Sequence, residues 1–471
     1  MIWGMQLSSE HRDKVGNICE RIKELRAEKI LARVYKGSTN STRTLRFKKR
    51  EVVDISDLDN VLSVCREKMV AIVEPNVAFD KLVREVGKYG LVPAVVPEFP
   101  GITIGGGIAG GAGESSSFRD GLVHTMSEEY EVVLGDGSIV YASAKENTDL
   151  FLAMAGTYGS LGIITAIKLK LIPKTKYVRL SYFPVTSFKE ATERTVSLSK
   201  ECSDFVDGIM FAPDKGILMA GSRTDNKEGL PVHRFSRAWD EWFYLHAKKR
   251  MEYPQNDIVP LEDYLFRYDR GTFWMGAYGF SRFLVPFNRL TRFFHNHLCK
   301  ARVMYKAIQE TDTSQQYFVQ DLSVPARNFV ELLSYTNEKL GIYPLWICPL
   351  MTDKCSAFSP THLGDEMVLN LGIWGPYTGT HDDFVKINID FENKTRLFGG
   401  RKILYAHVYE DEENFWQSYD KKLYNSLRDK YEAQGPFPSL FDKVVVREQY
   451  TPHVKRGFVQ AFRPFWKQRL S

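Results

Sequence analysis

The sequence predicts an α+β fold in two domains, residues 1–176 and 177–471, the second carrying an antiparallel sheet with helices on one side. Three observations carry this reading. A chain of 471 residues exceeds what one hydrophobic core normally organises. Strand-like runs fall between helical stretches without regular β-α alternation, which argues against a parallel, doubly wound sheet. Finally, the tract Gly101 to Ser117, G-I-T-I-G-G-G-I-A-G-G-A-G-E-S-S-S, places seven glycines in the first domain where no long helix or strand could run.

So much glycine leaves backbone N–H groups uncovered and admits a ligand to the main chain, while the serines add hydroxyl donors. Together they make a cradle suited to a pyrophosphate. The candidate ligands are Thr103, Ile104, Gly105, Gly106, Gly107, Gly110, Gly111 and Gly113, then Glu114, Ser115, Ser116 and Ser117. Gly105, Gly107 and Gly110 also spell G-x-G-x-x-G. A nicotinamide-Rossmann motif would open a long amphipathic helix, and Gly110, Gly111, Gly113 and the run after them interrupt one. A purely structural glycine loop stays open as an alternative.

In chain order, a polar helix from about Ser8 to Glu28 leads to a strand near Ile30 to Val34. The turn Lys36 to Arg43 follows, with Gly37, Ser38, Thr39, Asn40 and Ser41 offering amide and hydroxyl donors; alone it reads as a solvated turn. Val70 to Val73 is a short buried strand. Phe79, Leu82, Val83 and Val86 form one apolar helical face, closed by Gly90. Pro93, Pro97 and Pro100 hold the approach to the glycine tract extended. Glu131 to Leu134 and Ser138 to Tyr141 form a hairpin about Asp136-Gly137. A helix from about Asp149 ends at Gly156, and Gly159 and Gly162 bracket a turn before a strand beginning at Ile163. His124 reads as a structural histidine.

In the second domain Val178 to Val185 alternates like a half-buried strand, and Ser187 with Glu190 forms a capping box for the next helix. Strands near Val206 to Phe211 and Ile217 to Ala220 form a second hairpin. Pro325 and Gly341 bracket one later helix, and Asn414 precedes another carrying Trp416, Tyr419, Leu423 and Leu427. Tyr264 to Lys306 is crowded with aromatics and arginines, with Asp269 as its only carboxylate. Such a mixture suits an anionic membrane surface, an entrance for a large apolar substrate, or a packed domain interface with snorkelling arginines. Further on, Tyr405, His407 and Tyr409 in L-Y-A-H-V-Y would share one face of a strand and are the candidate catalytic residues, presenting phenol, imidazole and phenol.

A net charge of +5 without a basic tail argues against nucleic acid as a partner. Six cysteines, Cys202 among them, lack C-x-x-C spacing, so neither a disulfide frame nor a metal site is expected. No apolar run reaches the ~18 residues of a membrane span, and no signal peptide is predicted at the N-terminus. The expected location is cytoplasmic or peripheral on a membrane.

The run Val95 to Ser117, with Y-E-V-V-L-G-D-G from Tyr130 and A-G-T-Y-G-S-L-G-I-I-T from Ala155, resembles the vanillyl-alcohol-oxidase-type FAD-binding domain, and within that superfamily the delta-24-sterol reductase group. The resemblance implies a two-subdomain FAD-binding domain over residues 1–176 and a substrate-binding cap over 177–471, with the C-terminal tail a candidate to pack back on the first. It makes Gly37 to Ser41 a first pyrophosphate loop and sets Gly159, Gly162 and Ile163 against the adenosine side of the cofactor. Relatives that attach FAD covalently use a histidine or cysteine in these loops; neither occurs here, so non-covalent FAD is expected. The implied reaction is reduction of an isolated alkene in a sterol-like substrate, with NADPH as donor sharing the cavity in turn. The resemblance makes the endoplasmic reticulum membrane the surface for any peripheral contact, against a cytoplasmic location; that contact and the oligomeric state are left open. An oxidase or dehydrogenase of an alcohol or lactone, and a flavin-free scaffold, are the competing readings.

Overall fold

Val206 and Met210 point to one side of their strand and Phe205 and Ile209 to the other, and all four are buried. The same two-sided burial holds along Leu345–Leu350 and nearly all of Val368–Pro376. Strands that are apolar on both faces must be covered on both faces. They form the centre of an eight-stranded, wholly antiparallel sheet. Its order is Asp257–Pro260, Tyr177–Val185, Lys215–Thr224, Phe205–Ala212, Leu345–Leu350, Val368–Pro376, Tyr317–Pro325 and Arg401–Lys402. One face packs under the helices Phe188–Leu198, Phe329–Lys339 and His381–Leu397. The other packs against Phe243–Arg250, Leu261–Leu265 and Met275–Arg282 and against the first half of the chain. The expectation of helices on one side is corrected, because the strands bury two faces rather than one.

The computed structural model describes residues 7–201 and 203–453. Cys202, the tail beyond residue 453 and the first six residues of the signal-peptide reading lie outside the described residues.

The first half carries a five-stranded antiparallel sheet in the order Val61–Cys65, Val70–Val73, Ile163–Lys170, Ser127–Val133 and Ile139–Ser143. The helix Phe79–Gly87 buries Phe79, Leu82, Val83 and Val86 as its spacing requires. The opening helix Ser9–Ala27 docks through His11, whose ring nitrogens bond Glu74 at 2.8 Å and Glu131 at 3.0 Å. Burial works against a charged imidazole there, but the two carboxylates outweigh it and raise its pKa to about 9.

Three local expectations need correcting. Ser187 Oγ accepts from the Glu190 N–H, but the Glu190 carboxylate turns to Thr186, so only half of the capping box forms. Asn414 lies inside the helix Glu412–Trp416, which Asp411 caps, and a second helix, Lys421–Lys430, is capped by Asp420. Nearby aspartates outcompete asparagine by accepting the first free N–H groups of each helix. Gly90 has the left-handed φ of +72°, but it lies beyond the helix C-cap at Lys88.

The segment after Lys421 returns to the first half of the chain. Tyr424 and Arg428 donate to the Ser160 hydroxyl and carbonyl at 2.8 and 2.6 Å, and the Ala32 N–H donates to the Pro436 carbonyl at 2.7 Å.

Candidate active site

Within the glycine tract, Ile104–Gly110 forms a short helix whose N-cap Thr103 accepts from the Gly106 N–H at 3.3 Å. Gly111 ends it at φ +65°, and a Cβ there would fall 2.7 Å from Pro360. Thr103, Gly105, Gly106, Gly110 and Gly113 line a cavity of about 1380 Å³. A Cβ on Gly106 would lie 2.7 Å from the Lys36 Nζ, so glycine there keeps the ammonium group and the cavity wall open.

Other candidate ligands are turned elsewhere. Ile104, Gly107 and Gly111 are buried in protein and do not line the cavity. The run after the glycines is corrected to an internal role. Glu114 accepts from Ser115 at 2.7 Å, Ser116 donates to the Ala94 carbonyl at 3.0 Å, and Ser117 Oγ accepts from the Glu114 N–H at 2.9 Å. With their hydroxyls spent on the protein, Ser115, Ser116 and Ser117 face away from the cavity. Gly37 and Ser38 are likewise not cavity residues, whereas Thr39, Asn40, Ser41, Gly159, Gly162 and Ile163 are.

One end of the cavity is cationic. Lys36 donates to Thr103 Oγ1 at 3.2 Å, and Lys443, returning from the far end of the chain, donates to the Gly159 carbonyl at 3.3 Å. Neither lysine forms an ion pair among the described residues. Loss of solvation lowers both, Lys36 to about 8 and Lys443 to about 7, the latter helped by Arg33, Arg428 and Arg43. Two poorly solvated ammonium groups beside a wall that glycine keeps free of side chains fit an anionic diphosphate, and with it FAD. Arg43 is tied to the Leu404 and Ala406 carbonyls, and the Thr42 N–H donates to the Tyr405 carbonyl at 3.1 Å. This stitching joins the first loop to the segment that carries Tyr405.

That segment is a turn, not a strand, so the expected shared face does not exist. Tyr405 lines the cavity, while His407 and Tyr409 lie outside it. His407 is fully buried and bonds Ser314 at 3.2 Å, and burial with the nearby Lys402 and Arg43 holds its pKa well below normal. A neutral, enclosed imidazole is no proton source for the cavity. The Tyr409 hydroxyl accepts from Gln315 at 3.0 Å. Both residues are therefore corrected to structural roles.

The partner of Tyr405 is Asp321, which the sequence reading missed. The Tyr405 hydroxyl donates to Asp321 Oδ2 at 2.5 Å and accepts from Trp374 Nε1 at 3.1 Å, while Asn370 donates to Asp321 Oδ1 at 2.7 Å. Burial raises Asp321 to about 6 against the pull of these hydrogen bonds. Burial also holds Tyr405 well above the usual phenol range, so its proton stays on oxygen. A signal for Asp321 existed: one carboxylate inside the alternating strand Y-F-V-Q-D-L-S-V, on the same face as the cavity-lining Tyr317 and Val319.

Glu98 is a second cavity carboxyl, 6% exposed, its Oε1 without a hydrogen-bond partner among the described residues and its pKa pushed well above normal by burial. Behind it Arg267 donates to Asp207 at 2.9 Å and Ser115 at 3.1 Å, and Tyr268 and Trp346 donate to the same Asp207 oxygen. The inner part of the aromatic and arginine stretch thus packs the interface, and Phe273, Met275, Phe280 and Met304 make the cavity's other end apolar.

Comparison with known proteins agrees with this geometry. An FAD binding domain family matches residues 13–143. The chain is 27% identical to the human delta(24)-sterol reductase over 449 residues, covering 92% of this chain and 86% of that protein. A Caenorhabditis elegans delta(24)-sterol reductase homolog is 27% identical over 92% of this chain and 87% of its own. The Arabidopsis thaliana delta(24)-sterol reductase is 27% identical over 87% and 80%. With the glycine-lined cationic cavity, these likenesses show an FAD binding domain over residues 13–143 in a chain that is similar along most of its length to delta(24)-sterol reductases.

Proposed function

We propose that the protein is an FAD-dependent oxidoreductase that reduces an isolated alkene in a sterol-like side chain, with NADPH as electron donor. The observation that carries this is one continuous cavity, glycine-lined and cationic at one end, apolar and aromatic at the other, with Tyr405 and Asp321 on its wall. At about 1380 Å³ it exceeds the ~300–1,000 Å³ of an ordinary small-ligand pocket, which leaves room for an apolar guest beside a dinucleotide. When bound, FAD supplies a two-electron carrier between a nicotinamide and a carbon centre.

The chain's own residues would do the rest. Lys36 and Lys443, with the wall that the missing side chain of Gly106 leaves open beside them, hold the diphosphate. The apolar wall excludes water, which matters because an isolated alkene has no carbonyl to stabilise developing charge. Tyr405 presents an O–H to the cavity, and Asp321, near 6, holds or returns the proton behind it. Overall the π bond is replaced by two C–H bonds, one from a hydride equivalent and one from a proton, and NADPH leaves as NADP⁺. Peripheral contact with a membrane belongs to the same reading, since such a substrate resides in lipid.

The test is anaerobic mixing of holoenzyme with NADPH while following flavin absorbance, then addition of a delta-24 sterol. Bleaching by NADPH and return of colour with a saturated side chain are expected. Oxygen consumption on alcohols without NADPH oxidation would instead identify an oxidase.

A further inference from the structure

Beyond the cavity, the outer part of the aromatic and arginine stretch puts large apolar side chains into solvent. Leu284 is 91% exposed, Phe294 71% and Leu290 65%, with Phe287 and Phe293 partly exposed beside them. The Trp239 carbonyl accepts a long 3.5 Å contact from Arg289, and that indole is 52% exposed. So many exposed apolar tips within about a dozen residues mark an interaction site rather than scattered surface.

Two further observations identify the occupant. Phe283 lines the cavity and is also about half exposed, so the cavity reaches the surface at this face. The face is also cationic: no aspartate or glutamate occurs between Arg270 and Gln309, and Arg282 and Arg289 form no ion pair among the described residues. The neighbouring carboxylates are neutralised, Asp240 by Arg237 and Glu241 by Lys249. Apolar tips with flanking arginines and an edge tryptophan match the headgroup region of an anionic bilayer, with the tips in the acyl boundary and guanidinium groups at phosphate level.

We infer that the segment from Phe283 to Phe294, with Trp239, docks the cavity mouth onto an anionic lipid bilayer, so that an apolar substrate passes from lipid into the cavity without crossing water. This deepens the alkene-reductase reading, but its test is independent of turnover. Full-length holoenzyme is sedimented with vesicles of phosphatidylcholine alone or with about 30% phosphatidylserine, and the doubly substituted Leu284→Asp, Phe294→Asp variant is compared. Wild type should bind the anionic vesicles and lose binding in high salt. The variant should bind about tenfold or more weakly while keeping FAD content and melting temperature. Unaltered vesicle binding by the variant overturns the inference, as does wild type that binds neither vesicle. So does a wild-type dimer that the substitutions dissociate without any vesicle binding, since the face would then serve a second copy. If vesicle binding holds but sterols never reoxidise the flavin, the docking face stands and the reductase reading fails.

Discussion

Replacing Asp321 by asparagine separates chemistry from folding, because the two should move in opposite directions. Asp321 has a folded-state pKa of about 6 against its ordinary 3.8, a differential interaction worth about 3 kcal/mol. For an acid whose folded pKa is raised, the ionised form is the disfavoured one. The fold therefore loses stability as pH rises from 3.8 through about 6, and carries the full penalty at neutral pH. Asparagine keeps a carbonyl for Tyr405 and removes the buried charge, so Asp321→Asn should melt no lower than wild type at pH 7, and by this linkage higher. It holds no exchangeable acidic proton, however. Sterol-dependent reoxidation should slow by about 10²–10⁴-fold, the range for losing a positioned acid, while NADPH-dependent bleaching changes little. Stopped-flow absorbance at pH 5–8 reads both half-reactions. In wild type the reoxidation rate should fall as pH rises above about 6, and that break should vanish in the variant. A variant that keeps the break, or that reoxidises at the wild-type rate, refutes the assignment. A variant slowed only because it unfolds shows a structural role instead.

Lys443→Met and Lys36→Met should each weaken FAD binding by about tenfold and flatten its salt dependence, read by flavin fluorescence, because each removes one poorly solvated cation from the diphosphate end. FAD should leave wild type intact on denaturation, since neither loop offers a histidine or cysteine for attachment. The His11 pKa is raised to about 9, so its stabilisation is complete below the unfolded value of 6.5 and is lost as pH climbs through 9. Hydrogen-exchange protection of the helix Ser9–Ala27 should fall over that window, and His11→Gln should abolish the pH dependence. Gly111→Ala must place a Cβ 2.7 Å from Pro360 at φ +65°, and should cost about 1–3 kcal/mol by denaturant unfolding while loosening FAD.

Much of the local architecture was readable because its causes are short-range. The face of Phe79, Leu82, Val83 and Val86 follows from helical spacing, and the hairpin at Asp136-Gly137 from turn chemistry, with Gly137 at φ +79°. The glycine tract announced a close approach to backbone, though not which residues would face the cavity. Ser115 illustrates the gap: a serine beside a glycine cradle reads as a ligand, yet Arg267 and Tyr264, 152 and 149 positions away, pack against its hydroxyl. Tyr405 and His407 would share one face only on a strand. The Arg43 contacts to Leu404 and Ala406 hold it as a turn.

Composition and short spacings alone establish a glycine cradle suited to a close backbone approach, an antiparallel α+β chain and an aromatic, basic stretch unlike the rest, because each is written in neighbouring residues; FAD as the occupant of the cradle comes from the family resemblance. The proton-holding pair Asp321 and Tyr405 is separated by 84 positions, and the diphosphate lysines sit near opposite ends of the chain. Which charges meet, and whether water can reach them, follows from how distant segments close on one another. The low-dielectric cavity wall that moves Asp321, Lys36 and Lys443 from their ordinary pKa values exists only once the two halves have packed.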